Sequence, residues 1–181
     1  IISILDNRLD FKKNDKMIKR RLLILGFLTT TISSCSSWFK VNKIESVTRI
    51  VVFKNSRRLY LYNKNKAIKS YNIDLGFAPI GDKKIEGDGK TPEGRYYIDR
   101  KNPKSAYHLS LGISYPNKTD KAEAKKMGKS AGKDIFIHGR VGFLGRRPKK
   151  DWTWGCISVS NSNIEEIYKL VRIGTVVDIL P

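Results

Sequence analysis

Only two cysteines and two histidines occur in the 181 residues. That excludes a disulfide-stapled scaffold, and with no close ligand spacing around His108 or His138 it leaves no expected metal site. Acidic side chains are scarce as well, 17 against 36 basic ones, for a net charge of +19. Long apolar runs are missing: the stretch Leu22 to Ile32 is eleven residues, too short for a membrane-spanning helix. Repeats and low-complexity tracts are absent too. What remains is room for one ordinary domain with a core of its own, plus an appendage.

The appendage has its own pattern. The first sixteen residues are polar and read as an upstream extension, with Met17 as the expected start. From there Lys19, Arg20 and Arg21 precede the apolar stretch, and the small residues Ser33 and Ser34 follow it. Residues 17 to 34 therefore predict an export signal. The tetrad "ISSC", Ile32 to Cys35, resembles a bacterial lipobox, which predicts lipidation at Cys35 and a membrane anchor. Ser36 in the next position suits sorting to the outer membrane of a diderm bacterium. Residues 35 to 46 then form a tether, and residues 47 to 181 the folded domain.

Lipidation of Cys35 would leave Cys156 without a disulfide partner. An unpaired thiol in an oxidising compartment is either buried or reactive. The first 34 residues hold seven basic and three acidic side chains, so the remainder still carries +15. Such a charge favours polyanions. Export argues against nucleic acid and leaves wall carboxylates and anionic headgroups as the expected partners.

Along the domain, "RIVVF", "RRLYLY" and "SYNIDLG" alternate or are β-branched and predict successive antiparallel strands, with polar turns at Lys54 to Ser56 and Asn63 to Asn65. Further strands are expected at 94–100, 107–113, 134–138 and 176–180. Two helices interrupt them. One is expected at 120–127, with Asp120 as N-cap and Gly128 just past its end; the other at 163–171, where Ser162 and Glu165 fit a capping box and Ile164, Ile167, Tyr168 and Val171 share a face. The fold class is mainly β, a sandwich or barrel-like domain with a few short helices.

"GDGKTPEG", Gly87 to Gly94, ends like a phosphate-binding loop, but Lys84 stands where the first glycine is required. A glycine-rich turn entering a strand accounts for it. His138 ends the run "DIFI" at the border of a loop, and Cys156 follows Trp154 and Gly155. A base titrating near neutrality and a thiol in need of deprotonation make up the inventory of a cysteine nucleophile. Gly155 would let the turn present the amides of Trp154, Gly155 and Cys156 to an oxyanion.

Three stretches carry a resemblance: "IHGR", followed after an eighteen-residue step from His138 by "TWGCISVSN", and upstream "LGFAPIGDKKIEGDGKTPEGRYYI" with its T-P-x-G. They resemble the L,D-transpeptidase (YkuD-type) catalytic domain over roughly Val47 to Pro181. The resemblance implies Cys156 as nucleophile, His138 as base and the Gly139 carbonyl as orienter of the imidazole. It also implies peptidoglycan stem peptides as substrate, sensitivity to carbapenem-type inhibitors and no cofactor; a monomer is expected. Trp154 stands where many members have His, and Ser158 where they have Arg or Asn. Recognition of the substrate carboxylate would then fall to Ser158, Arg140, Arg146 or Arg147, the arginines lying in the basic segment between the two catalytic residues. Acceptors compatible with this chemistry are a second stem peptide, a protein lysine or water. The competing reading is a wall-binding module with Cys156 merely packed.

Overall fold

A computed structural model of the chain describes residues 46–140 and 149–181. The export signal, Cys35, Arg146 and Arg147 lie outside the described residues. Eight strands form one mixed sheet: β1 (Arg49–Phe53), β2 (Arg58–Asn63), β3 (Lys66–Asn72), β4 (Gly94–Ser105), β5 (His108–Ile113), β6 (Phe136–His138), β7 (Ile157–Ser158) and β8 (Val176–Leu180), in the order β3-β2-β1-β8-β4-β5-β6-β7. The first three strands are antiparallel neighbours, as their alternation predicts. Two pairings are parallel, β1 with β8 and β6 with β7. The C-terminal strand thus returns to the middle of the sheet beside the first.

Strand β4 is long enough to serve two neighbours. Its beginning, Gly94 to Tyr97, pairs with β8, and from Ile98 onward it pairs with β5 across two irregularities in register. Such bulges bend a strand and increase its twist. The sheet curls there until its two ends meet. Past β3 the chain stays extended but changes partner: Asp74 bridges Ser158, and Gly76 bridges Thr153. The run "SYNIDLG" is therefore half strand and half seam. Its alternation holds throughout, with Tyr71, Ile73 and Leu75 all buried, while its hydrogen-bond partners switch from β2 to the segment around Cys156.

Both helices start earlier than expected. Helix α1 spans Lys118–Lys126, and its N-cap is Asn117, whose side chain accepts from the amides of Thr119 and Asp120. Asp120 is the reciprocal partner inside the helix, accepting from the Asn117 amide at 2.7 Å. Helix α2 spans Asn161–Leu170, capped by Ser160 rather than Ser162. The Ser162 and Glu165 box does not form: Ser162 lies inside the helix, and the Glu165 carboxylate is bound to His108 at 2.7 Å. The apolar face stands as predicted: Ile164, Ile167 and Val171 are buried and Tyr168 packs against the core.

Lys54, at a position that reads as a polar turn, is buried with all three ammonium protons used, on the carbonyls of Gly81 and Thr91 and on the Glu93 carboxylate at 2.6 to 2.8 Å. A buried cation is tolerated only when satisfied in this way. It fixes both ends of the segment from Gly81 to Glu93, which includes all of "GDGKTPEG" but its last glycine. Inside that segment Asp88 accepts from the amides of Lys84, Ile85 and Lys90, so the loop is a rigid body.

Candidate active site

The seam of the sheet is also where the two candidate catalytic residues come together. Strands β6 and β7 run in parallel register, Ile137 beside Ile157 and His138 beside Ser158. Cys156 thus stands one residue ahead of β7, next to Phe136. Side chains alternate along strands, so His138 and Cys156 project to the same face on neighbouring chains. Ser110 of β5, paired with His138, completes that row. A cavity of about 220 Å³ contains both Cys156 and His138, with Ser110, Phe136, Tyr107 and Asn102 in its wall.

The turn that presents Cys156 depends on absent side chains. Gly155 has φ +128°, and a β-carbon there would lie 2.6 Å from the Lys90 carbonyl oxygen. Gly76 approaches Gly89 so closely that a β-carbon would overlap its carbonyl oxygen. The glycine-rich loop is thus the bed on which the cysteine turn rests, and Thr91 joins the two by accepting from the Gly76 amide. Thr153 closes the turn: its hydroxyl donates to the Cys156 carbonyl at 2.7 Å and accepts from the Gly155 amide at 3.2 Å. With the Gly155 amide directed to Thr153, the amides of Trp154 and Cys156 are left as candidate oxyanion donors. Asp151 anchors the approach to the turn, bound bidentately by Arg57 and accepting from the Leu75 amide.

His138 is 3% exposed. Its Nδ1 lies 2.6 Å from the Gly139 carbonyl oxygen. A carbonyl can only accept, so Nδ1 carries the proton and Nε2 is the free base. Gly139 has no room for a side chain; a β-carbon would sit 2.6 Å from Asn161 Oδ1 and 2.8 Å from the Tyr107 carbonyl. The imidazole belongs to a cluster of three rings, with Tyr107 at 4.6 Å and Trp152 at 5.7 Å between centroids and those two 5.8 Å from each other. Burial in this aromatic setting lowers the His138 pKa below its usual 6.5, and the bond to Gly139 only partly offsets it.

Burial has the opposite sign for the thiol, which it pushes above 9.0 against the pull of the Phe136 amide and the Lys83 ammonium. The Cys156 sulfur lies 3.7 Å from the Asp134 carbonyl, to which the thiol donates. The resting pair is accordingly a neutral thiol and a neutral imidazole. Alkylation by iodoacetamide should still be accelerating with pH at 9, whereas acylation by substrate, which needs neutral His138, should decline on the acid side only below 6.5. A plateau of alkylation near neutrality would reveal a preformed thiolate–imidazolium pair instead.

The other expected site residues are placed unevenly. Trp154 is 72% exposed and stands edge-on to Phe77 at 4.9 Å. Arg140 pairs with Asp74 at 2.8 Å across the seam, its own amide capped by Asn161, and lines neither cavity that contains Cys156. Ser158 is wholly buried, its hydroxyl 3.5 Å from the Gly139 carbonyl. Thr153, Asp151, Tyr107 and Trp152 carry no signal by themselves in the sequence; only the proximity of Trp152 and Thr153 to Cys156 hinted at them. No cluster of His, Cys, Asp and Glu able to hold a metal occurs among the described residues.

On the far side of Cys156 a second cavity, about 340 Å³, is lined by Lys83, Glu86, Lys133, Asp134, Ile135 and Trp154 among others. Cys156 therefore borders two cavities, only one of which is also lined by His138.

The chain is similar to known proteins over most of its length. In curated sequences the chain is 30% identical over 154 residues to YafK of Escherichia coli K12, named as a candidate L,D-transpeptidase, covering 82% of this chain and 56% of that one. Among solved structures it superimposes on the helical cell shape determining protein Pgp2 of Campylobacter jejuni (34% identity, TM-score 0.58, 74% of this chain and 47% of the other). It also superimposes on Bd1075 of Bdellovibrio bacteriovorus (27% identity, TM-score 0.56, 75% and 48%). The chain spans about half the length of these relatives. Residues 47–179 match the model of the L,D-transpeptidase catalytic domain, and with the mainly β fold and the placing of Cys156 and His138 the chain belongs to the YkuD family of L,D-transpeptidase catalytic domains.

Proposed function

We propose that the chain is a peptidoglycan acyltransferase in which Cys156 attacks a stem tetrapeptide and passes the acyl group to an amine. The observation that carries this reading is the position of Cys156 between two cavities, with the free Nε2 of His138 at only one of them. As the sulfur attacks the carbonyl carbon of the acyl residue, His138 takes the thiol proton, and the Trp154 and Cys156 amides receive the developing oxyanion. Collapse expels the terminal D-amino acid, whose nitrogen is protonated by the imidazolium, and leaves a thioester. An incoming amine then gives its proton to the same Nε2 and forms the new amide. The Gly139 carbonyl stabilises the imidazolium in the place a carboxylate holds in other triads. Buried Ser158 supports that carbonyl. Arg140 supports the seam through Asp74.

The export signal and Cys35 lipidation read from the sequence would hold the domain on the periplasmic side of the envelope, beside its substrate. The basic segment from Arg140 to Lys150 would then favour anionic donors. Incubation with disaccharide-tetrapeptide should yield dimers joined through the third residues of two stems, detected by chromatography and mass spectrometry. Tripeptide as the sole product at every donor concentration would make the enzyme a carboxypeptidase.

A further inference from the structure

His138 has to carry a positive charge in the course of acyl transfer, and nothing ionic awaits that charge. The proton leaves the Cys156 sulfur as the sulfur bonds to the acyl carbon, resides on Nε2 and departs on the nitrogen of the leaving amine. With Nδ1 already protonated, the ring is an imidazolium in between. It is 3% exposed, and a buried cation without compensation is costly. Its hydrogen-bond partner is the Gly139 carbonyl, which offers a dipole rather than a charge. Among the described residues no carboxylate is paired with the ring, and no charged side chain lines its cavity. This step rests on the acyl-transfer reading above.

The neighbouring rings meet that need unequally. Tyr107 lies at 4.6 Å between centroids with its plane only 35° from that of the imidazole, so it turns a ring face toward His138. Trp152 meets the imidazole at 77°, edge against face. An aromatic face is the negative side of the ring quadrupole, and a cation within about 6 Å of the centroid is attracted to it, more strongly where water is excluded.

More than strand pairing holds Tyr107 in place. It belongs to the tip of the hairpin between β4 and β5, where its amide donates to Ser105 Oγ at 3.2 Å. The next residue, His108, has φ +72°, in the left-handed region that a residue with a β-carbon seldom adopts. His108 Nε2 lies 2.7 Å from a Glu165 carboxylate oxygen, which ties the tip to α2. The first residue of the same helix, Asn161, accepts from the Arg140 amide just past Gly139. Tyr107 and the base are thus fastened to one support.

We infer that Tyr107 stabilises the imidazolium of His138 through its ring face, with His108 and Glu165 as the clasp that sets the ring there. All three act through His138 and are positioning residues. The contact is weak toward the neutral imidazole at rest and strengthens as the proton arrives, so it favours the transition state over the resting enzyme.

The test replaces Tyr107 in the full chain by leucine, by phenylalanine and by increasingly fluorinated phenylalanines, which drain the ring face while hardly changing its shape. Acyl-enzyme formation on Cys156 from tetrapeptide is followed across pH by mass spectrometry. Tyr107→Leu should slow acylation about five- to thirtyfold, the span of cation–π contacts from exposed to desolvated. It should also move the acid limb to lower pH, because the proton on His138 is held less firmly. Tyr107→Phe should restore most of the loss, and each added fluorine should take a further step of it away. Glu165→Ala should act in the same direction, more weakly, and add little to Tyr107→Leu. A rate indifferent to fluorination, an acid limb that stays in place, or an equal loss in the alkaline alkylation of Cys156, which needs no imidazolium, would reduce Tyr107 to packing and leave acyl transfer standing. Absence of acyl-enzyme from the unsubstituted chain would overturn acyl transfer and this role together.

Discussion

Replacing Cys156 by alanine or serine should abolish both acyl-enzyme formation and covalent carbapenem adducts, with the fold intact. The side chain is half-buried and free of any disulfide, and its hydrogen bond to the Asp134 carbonyl at 3.7 Å is long. Its removal therefore unpairs little. Serine tests nucleophilicity in particular, because a hydroxyl at the same place beside the same base is far less acidic than a thiol. Mass spectrometry of the incubated variants decides the matter; an adduct surviving on either would move the nucleophile elsewhere. A packed, non-catalytic cysteine in a wall-binding module predicts instead that the unsubstituted chain acquires no adduct at all.

Replacing His138 should cost acylation about 100-fold or more, the scale of a positioned general base. Alanine would also open a hole beneath Tyr107 and Trp152, so asparagine is the sharper variant. Its amide can still donate to the Gly139 carbonyl, as Nδ1 does at 2.6 Å, yet it offers no basic nitrogen toward Cys156. If His138→Asn acylated as fast as the parent, the ring would be a packing element and the proton would leave by another route. If His138→Asn loses the rate but keeps the thermal transition of the parent, the assignment as base stands.

The strands and the meeting of His138 and Cys156 at one cavity are legible in the sequence for different reasons. The β-branched run "RIVVF" is a strand buried on both faces, the alternating "RRLYLY" one with a single buried face, and the glycine beside each of His138 and Cys156 reports a close approach. Element ends were less legible because they are decided by competition among neighbours. Asp120 and Asn117 can both cap α1, and the side chain that reaches two free amides outcompetes the other. Ser162 loses its partner Glu165 to His108, a residue far away in sequence. The change of partner within "SYNIDLG" has no local signature, since its alternation is identical on both sides of the switch. Asp151 and Thr153 escaped notice for the same reason: their roles consist of bonds to Arg57, Leu75 and the turn itself. Lys54 shows the limit from the other direction, a charge that reads as surface yet is buried because three acceptors converge on it.

The closure of the sheet also has a consequence for the order in which the molecule can become active. Asp74 and Ser158, whose amides and carbonyls exchange two hydrogen bonds of 2.8 Å, come from distant parts of the chain, and contacts of such separation carry a larger loop-closure cost than local ones. Before the seam closes, Cys156 sits in a turn that lacks the bonds by which Leu75 and Phe77 hold Thr153. It is then an ordinary thiol, slow toward any acyl carbon. Reactivity is in this sense a proofreading mark of completed folding: a chain still unfolded has nothing with which to acylate itself or its neighbours by mistake.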